Sequence, residues 1–379
     1  MRICLVGPSY PYRGGIAHFT SLLAREFERR GDAVGIINFS RLYPSFLFPG
    51  KTQYDDSDSP LAVDSERVID SLDPISWVRA GRAAAAFRPD LTVFQWWQPF
   101  FGPACRTISH FLKRRCPAPV VFQCHNVLPH ESSVFDRALI GVGLGRADGF
   151  LVQSVEDGEN LKQLRKDPLM AVNPLPIYDF FDEGRHDRRS ARGALGLEGN
   201  VILFFGYIRG YKGLNVLLDG FAKMYDRMDA TLLVVGEFYD KREPYDAQIS
   251  RLGIGDRVRI VDEYVPNEDV EMYFKAADLV VLPYLSATQS AIVQTAFGFH
   301  KPVVVTAVGG LPDVVTDGST GYVVPKNDSA ALADAVVRFF EDDVAGAMSD
   351  NIRADLDRFS WRHCADTLIR LGERVAEKG

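Results

Sequence analysis

Short apolar runs that end on a glycine or a polar residue recur along this chain, and each is followed by a stretch whose apolar residues return every three or four positions. A strand that is apolar on both faces must be covered on both sides, so the alternation predicts parallel sheets with crossover helices. The pattern starts with "ICLVG" and continues through "IAHFTSLLAREFERRG", where Ile16, Phe19, Leu22, Leu23 and Phe27 share a helical face and Gly31 ends it. Further strands are expected over 33–38, 91–95, 120–124 and 149–153. Ser154 with Asp157 three residues on reads as a capping box that opens another helix. The proline-rich "VNPLPIYDFFDEGRHDRRS" then breaks the alternation and predicts a linker near 174–189. Beyond it the pattern restarts, with strands over 201–205, 231–235, 257–261, 279–282 and 302–306 and helices over 214–225, 267–276 and 291–298. Two doubly wound, Rossmann-like α/β domains are therefore expected, and 379 residues is a length that fits two cores.

Composition narrows the function classes. With 46% hydrophobic and 25% charged residues the chain reads as a globular protein, and a net charge of -7 argues against a nucleic-acid binder. The acidity lies in the second half: residues 1–190 hold 23 Lys and Arg against 22 Asp and Glu, the remainder 20 against 28. Cys4, Cys105, Cys116, Cys124 and Cys364 are scattered and odd in number, so neither a disulfide framework nor a zinc site is suggested, and a reducing cytoplasm is the expected location. The N-terminal apolar run is too short for a signal peptide and no stretch reaches the roughly 20 apolar residues of a spanning helix.

In open sheets of this kind ligands lie beyond the carboxyl ends of the strands, so the loops there carry the chemistry. The loop "FGYIRGYKG" sets Arg209 and Lys212 where a strand feeds a helix. Two such cations repel each other unless an anion lies between them, and the helix N-terminus favours the same anion. Gly206, Gly210 and Gly213 remove side-chain bulk, and an arginine fork beside a lysine point charge suits a diphosphate. The pattern is neither Gly-x-x-x-x-Gly-Lys-Ser/Thr nor Gly-x-Gly-x-x-Gly, so neither a mononucleotide kinase nor a dinucleotide reader is supported. In the first half Gly14 and Gly15 precede the first helix and offer N–H groups to a phosphate, His125 follows a buried strand in "FQCHN", and Trp96 and Trp97 end another in "FQWWQPF". An isolated histidine there serves equally as a structural hydrogen-bonder, and the tryptophans serve equally as core or as stacking faces.

Taken together, "FGYIRGYKG", "LVVGE", "YVPNEDVEMYFKAADLVVLPY", "FGFHKPVVVTAVGGLPDVV", "DGSTGYVVP" and the terminal "FSW" resemble the family 4 retaining glycosyltransferases of the GT-B fold (glycosyl transferases group 1). The resemblance implies an N-terminal acceptor-binding domain over 1–180, a nucleotide-sugar-binding domain over 181–355, and a last segment, 356–379, that crosses back to the first; the two domains face each other across a cleft. It implies that Arg209 and Lys212 hold the donor diphosphate and that His125 stands at the transferring sugar. It adds Gly14, Gly15, Gly206, Glu237, Tyr264 and Val265 to the donor site. The family usually has two glutamates before the "KPVVVT" strand, and their positions here are Ala287 and Thr295. Neither makes a carboxylate's charge-assisted hydrogen bond. The polar run that stands there brings Thr288, Gln289, Ser290 and Ala291 to the phosphates and Gln294 or Thr295 to the ribose.

The function implied is transfer of a sugar from a nucleoside diphosphate to an acceptor hydroxyl in glycan synthesis, with no cofactor beyond the donor and no metal. Trp96 and Trp97 are the expected acceptor contacts, and the acceptor is a glycan or a lipid-linked glycan. Two alternatives are a nucleotide-sugar epimerase and a non-catalytic nucleotide-sugar-binding partner or sensor, the latter favoured by the missing glutamates. The basic end of "GPACRTISHFLKRRC", with Lys113, Arg114 and Arg115, is either a solvated helix end or a peripheral contact with an anionic membrane. Donor base, sugar and oligomeric state carry no sequence signal.

Overall fold

The computed structural model describes residues 1–44, 52–58, 60–128 and 134–378. The chain divides into two compact units: the first is Met1–Asp56, Pro60–Pro174 and Ser360–Gly379, and the second is essentially Leu175–Phe359.

The first unit is built on seven strands, β1 (Arg2–Val6), β2 (Ala33–Arg41), β3 (Glu66–Asp70), β4 (Leu91–Trp96), β5 (Val120–Cys124), β6 (Gly149–Val152) and β7 (Met170–Val172). All pair in parallel, in the order β3-β2-β1-β4-β5-β6-β7. The order reverses between β1 and β4, which is the switch point at which the strand-end loops part and leave a crevice. Helices α1 (Gly15–Arg29), α2 (Pro74–Ala86), α3 (Gly102–Lys113), α4 (Val134–Leu144) and α5 (Val155–Leu164) make the crossovers. β4 and β5 are buried along their whole length, as strands covered on both faces must be.

The second unit repeats the plan with β8 (Asn200–Phe205), β9 (Ala230–Val235), β10 (Val258–Val261), β11 (Leu279–Leu282), β12 (Val303–Thr306) and β13 (Gly321–Val324), ordered β10-β9-β8-β11-β12-β13. Its switch point lies between β8 and β11. Helices α6 (Arg188–Leu195), α7 (Leu214–Met224), α8 (Glu243–Leu252), α9 (Asn267–Ala276), α10 (Ala291–Gly298), α11 (Leu311–Val314), α12 (Ser329–Glu341) and α13 (Ala345–Asp355) complete it. The last helix, α14 (Trp361–Ala376), belongs to the first unit: Leu371 and Val375 meet Gly149, Gly372 meets Leu91, and Arg30 pairs with Asp366 at 2.6 Å.

Ten of the thirteen strands lie where apolar patterning predicts them. The three others, β3, β7 and β13, are edges of their sheets. β3 and β7 are short and little buried, with one buried residue of five and none of three, so their sequences carry little of the both-faces-apolar signal; β13 is buried at three of its four residues, but its run, which opens on Gly321, is only four residues long.

The cap expected at Ser154 is half made. The Ser154 hydroxyl accepts the Asp157 N–H at 3.1 Å, but the Asp157 carboxylate accepts from Val127 N–H at 3.4 Å and leaves Oδ2 without a partner. Burial pushes the Asp157 carboxyl up to about 7. A raised carboxyl means the folded state holds a proton that the unfolded chain has already lost, so this group subtracts stability as pH rises from about 4 to about 7. Asp157→Asn keeps the acceptor and removes the charge. It should be more stable than the wild type by roughly 1–4 kcal/mol at pH 8, with the advantage shrinking toward pH 4 in urea melts at both pH values.

Candidate functional site

At the second unit's switch point the loops after β8, β9, β11 and β12 approach one another so closely that only glycine fits. A Cβ on Gly236 would lie 2.2 Å from the Gly206 carbonyl oxygen, one on Gly213 2.0 Å from the Pro283 oxygen, and one on Gly309 1.7 Å from the Ala287 oxygen; all three have positive φ. The β8 loop therefore lies flat and turns through a short 3-10 segment, Gly210–Lys212, into α7. No side chain caps α7, and none caps α10, which starts beside it after Ser290. Two helix N-termini thus present open N–H groups at the same switch point.

Lys212 lies in this crevice. Its ammonium is 3.0 Å from where a side chain on Gly206 would begin and 5.6 Å from the centre of the Tyr284 ring. Among the described residues no carboxylate pairs with it. Burial, assisted by the nearby Arg209 cation, pushes the Lys212 ammonium down to about 7. A buried, unpaired ammonium is an energetic liability that an anionic ligand removes. The Arg209 guanidinium lies 4.7 Å over the Tyr239 ring, and Tyr239 continues into Tyr207 (4.5 Å) and Tyr264 (6.1 Å from Tyr207), an aromatic surface beside the cation pair.

The other expected donor residues of this unit fall on the same edge. Glu237 is buried just after β9, its carbonyl accepting Ile208 N–H, and Val265 is buried after β10. Thr288 and Gln289 are fastened to the β12 loop, the Thr288 carbonyl accepting Gly310 N–H at 2.9 Å and the Gln289 amide donating to the Gly310 carbonyl at 3.2 Å. Ser290 meets the Tyr284 hydroxyl at 3.3 Å, and Ala291 opens α10. Thr295 spends its hydroxyl on the Ala291 carbonyl at 2.9 Å. Gln294 is fully buried, with neither amide atom partnered.

In the first unit, Gly14 and Gly15 open α1 and no side chain caps it, while a Cβ on either glycine would meet nothing. His125 follows β5 and is buried. Its Nε2–H donates to Gln95 Oε1 at 2.7 Å, its Nδ1 accepts from Gln153 Nε2 at 2.9 Å, and the ring packs edge-on to Phe19 at 4.7 Å. Burial pushes the imidazole down to about 3, so it is neutral at any ordinary pH. Both ring nitrogens are thus engaged within the unit, a tighter structural role than a histidine standing free at a strand end. The glutamines around it went unnoticed in the sequence. Gln95, Gln123 and Gln153 end three successive strands, and Gln95 Nε2 and Gln123 Oε1 are buried without partners. The signal was there, a glutamine closing each of "VFQ", "VFQ" and "LVQ". Also missed was His18 in the first turn of α1, which burial pushes down to about 4 against the opposing pull of Asp55.

The two tryptophans separate. Trp96 is 1% exposed in the first unit's core with Phe122, which removes it from the acceptor contacts. Trp97 is half-buried at the β4 end, its indole N–H donating to the Tyr43 hydroxyl at 2.9 Å. The basic end of α3 lies at the opposite edge of the sheet. Lys113 is paired there with Asp148, whose carboxylate also holds Val120 N–H at the start of β5. An anionic surface held at that edge is a strand length, about 16 Å, from His125. Among the described residues no helix is long and apolar enough to cross a membrane.

Two parallel α/β sheets that share the order 3-2-1-4-5-6, the first with a seventh strand added at its edge, define the class, and the fold is GT-B. Over its whole length the chain superposes on sucrose-phosphate synthase from Thermosynechococcus elongatus (TM-score 0.76, 18% identical, 100% of both chains). It matches HepE of Anabaena, solved in complex with UDP-glucose, at a TM-score of 0.70 and 20% identity over 99% of this chain and 98% of that one. Residues 199–342 match the family model of glycosyl transferases group 1. The chain is also similar to the D-inositol 3-phosphate glycosyltransferase of Mycobacterium leprae, 32% identical over 281 residues, 69% of this chain and 65% of the relative. The corresponding figures for the enzyme of the same name from Corynebacterium glutamicum are 29% over 239 residues, 59% and 57%. The chain spans between about half and two thirds of the length of the curated relatives it matches.

Removing the imidazole strands Gln95 Oε1 and Gln153 Nε2 in a buried site, where each unmet group costs about 1–3 kcal/mol. His125→Ala should therefore lose roughly 2–5 kcal/mol of stability in urea denaturation. A change within 0.5 kcal/mol, on the scale of an exposed surface position, would contradict this arrangement.

Proposed function

We propose that this protein is a retaining glycosyltransferase that moves a sugar from a nucleoside-diphosphate sugar to the hydroxyl of a glycan acceptor. The observation that carries the reading is Lys212: a buried ammonium with no carboxylate partner among the described residues, beside Arg209, at a switch point where glycines admit a ligand to the backbone. A diphosphate meets each of these demands. It neutralises the ammonium, takes the Arg209 fork and accepts from the open N–H groups of α7 and α10.

In the proposed reaction the bond from the anomeric carbon to the diphosphate oxygen breaks, and the acceptor oxygen bonds to that carbon on the same face. The acceptor's proton passes to the departing phosphate oxygen. Arg209 and Lys212 stabilise the charge that builds there, the largest contribution asked of the protein. A neutral, doubly hydrogen-bonded His125 is unsuited to carrying a proton; its part is positioning, holding the Gln95 and Gln153 amides at the strand ends. Gln95 Nε2, with two protons to give and no acceptor, is the group we assign to a sugar hydroxyl. Gln294, buried and unpartnered, is the candidate for the contact that the family's glutamate makes. The tyrosines 207, 239 and 264 offer a stacking surface to the base.

Calorimetry with UDP, GDP and ADP tests the reading. At least one should bind, and Arg209→Ala or Lys212→Ala should weaken it by roughly 1.5–3 kcal/mol, 10- to 150-fold, without loss of folding. The affinity should also fall as pH rises. The free Lys212 is protonated only below about 7, so above that value binding must take up a proton, and affinity drops about tenfold per pH unit. No binding by any of the three, or affinity unchanged in both variants, overturns the assignment.

A further inference from the structure

On the active edge of the first unit's sheet, beyond the ends of β2 and β3, lies an open cleft of about 460 Å³, within the usual size of a small-molecule site. Tyr12, Tyr43, Gln53, Tyr54 and Arg41 are among its walls. Its aromatic faces are fixed. Tyr54 is 46% exposed and stacks on the buried Tyr12 ring at 5.4 Å with 24° between the planes. An isolated antiparallel bridge ties those two residues together. Its polar groups are fixed as well. The Gln53 amide clamps the Tyr43 backbone from both sides, donating to its carbonyl at 2.9 Å and accepting its N–H at 3.0 Å. The Tyr43 hydroxyl takes the Trp97 indole proton and donates to Gln98 Oε1 at 3.0 Å.

Among the described walls the one charged side chain, Arg41, is neutralised by both oxygens of Asp70 at 2.8 and 2.5 Å. A phosphorylated ligand or a lipid headgroup would find no free cation among these walls. An exposed flat ring beside rigid hydroxyl and amide groups matches an uncharged sugar, whose C–H face is apolar and whose rim is hydroxyls.

Place in the sheet gives the rest. From β5, which carries His125, to β2 is three strand spacings through β4 and β1, about 14 Å. One sugar ring does not bridge that distance. We infer that this cleft is a subsite for a non-reacting sugar unit of an extended, uncharged glycan acceptor, seated on Tyr54, so that the protein elongates oligosaccharides in preference to monosaccharides. The inference rests on the transferase reading for the position of the reacting end, and not for the binding of a sugar.

The test is binding to a printed array of neutral oligosaccharides of one to six units, with no nucleotide present, by labelled wild type, Tyr54→Ala, Tyr54→Phe and Lys212→Ala. Wild type should retain a set of oligosaccharides and not the matching monosaccharides. Tyr54→Ala should lose about tenfold in apparent affinity, while Tyr54→Phe, which keeps the ring, and Lys212→Ala retain it. An array with nothing retained, equal retention of monosaccharides, or retention unchanged in Tyr54→Ala overturns the subsite. Thermal shift of the same four proteins with UDP, GDP and ADP separates the two readings. Glycan retention without any nucleotide response sinks the transferase and leaves a glycan-binding cleft. Nucleotide response without glycan retention sinks the cleft alone.

Discussion

Backbone meeting backbone at the ends of β8, β9, β11 and β12 is the constraint from which the second unit's site follows. The 1.7 to 2.2 Å approaches that a Cβ would make at Gly213, Gly236 and Gly309 leave no residue but glycine there. Because the loops are so close, two uncapped helices begin side by side, and the Lys212 side chain is driven into the crevice in place of solvent. A cation in such a place lowers its own affinity for protons and raises its affinity for any anion that can reach it. The chemistry of the site is a consequence of close packing between loops, and only secondarily of which charged residues the loops carry.

The first unit solves a related problem with neutral groups. Gln95 and Gln153 hold one imidazole between them, and their hydrogen bonds fix that ring as the Nε2–H tautomer. A low-dielectric pocket rewards such a network when it is satisfied and penalises each atom left over. Gln95 Nε2 and Gln123 Oε1 are left over, and buried polar atoms without partners are rare enough in native proteins to suggest that a ligand supplies the missing half. The same edge then continues through Trp97 and Tyr43 to the tyrosine cleft.

Much of this was legible in the sequence, for a physical reason. Strands covered on both faces are dominated by apolar residues and helices repeat them every three or four positions, so β5 and β11, and the helices α9 and α10, fall on the expected bounds to the residue. The edge strands β3 and β7 lacked that signature, and in β13 it runs for only four residues after a glycine-containing turn. Among site residues, glycines beside Arg209 and Lys212 announce a close approach, since no other residue can make it. Trp96 could not be told from Trp97 by spacing: Trp96 closes β4 and is sealed in the core, while Trp97, one residue past the strand, packs half-buried against the same core, and only the position of the strand end decides which ring is sealed. The glutamines were illegible for another reason. Each is unremarkable alone, and only the pairing of Gln95 with Gln123 across β4 and β5 makes them one site.

The placement of α14 bears on how the molecule is made. Its buried face, including Cys364, Leu368 and Leu371, covers strands laid down far earlier in the chain, among them β4 and β6. A ribosome therefore releases the first unit's seven strands long before their last cover is synthesised, while nearly all of the second unit, Leu175–Phe359, emerges as one stretch. Domains usually mature in the order of synthesis. Here the second to be translated is the first able to close, and the first waits with an apolar surface uncovered. During that interval the nascent chain is a natural client for a chaperone, and a stop codon just before Trp361 would leave it one permanently.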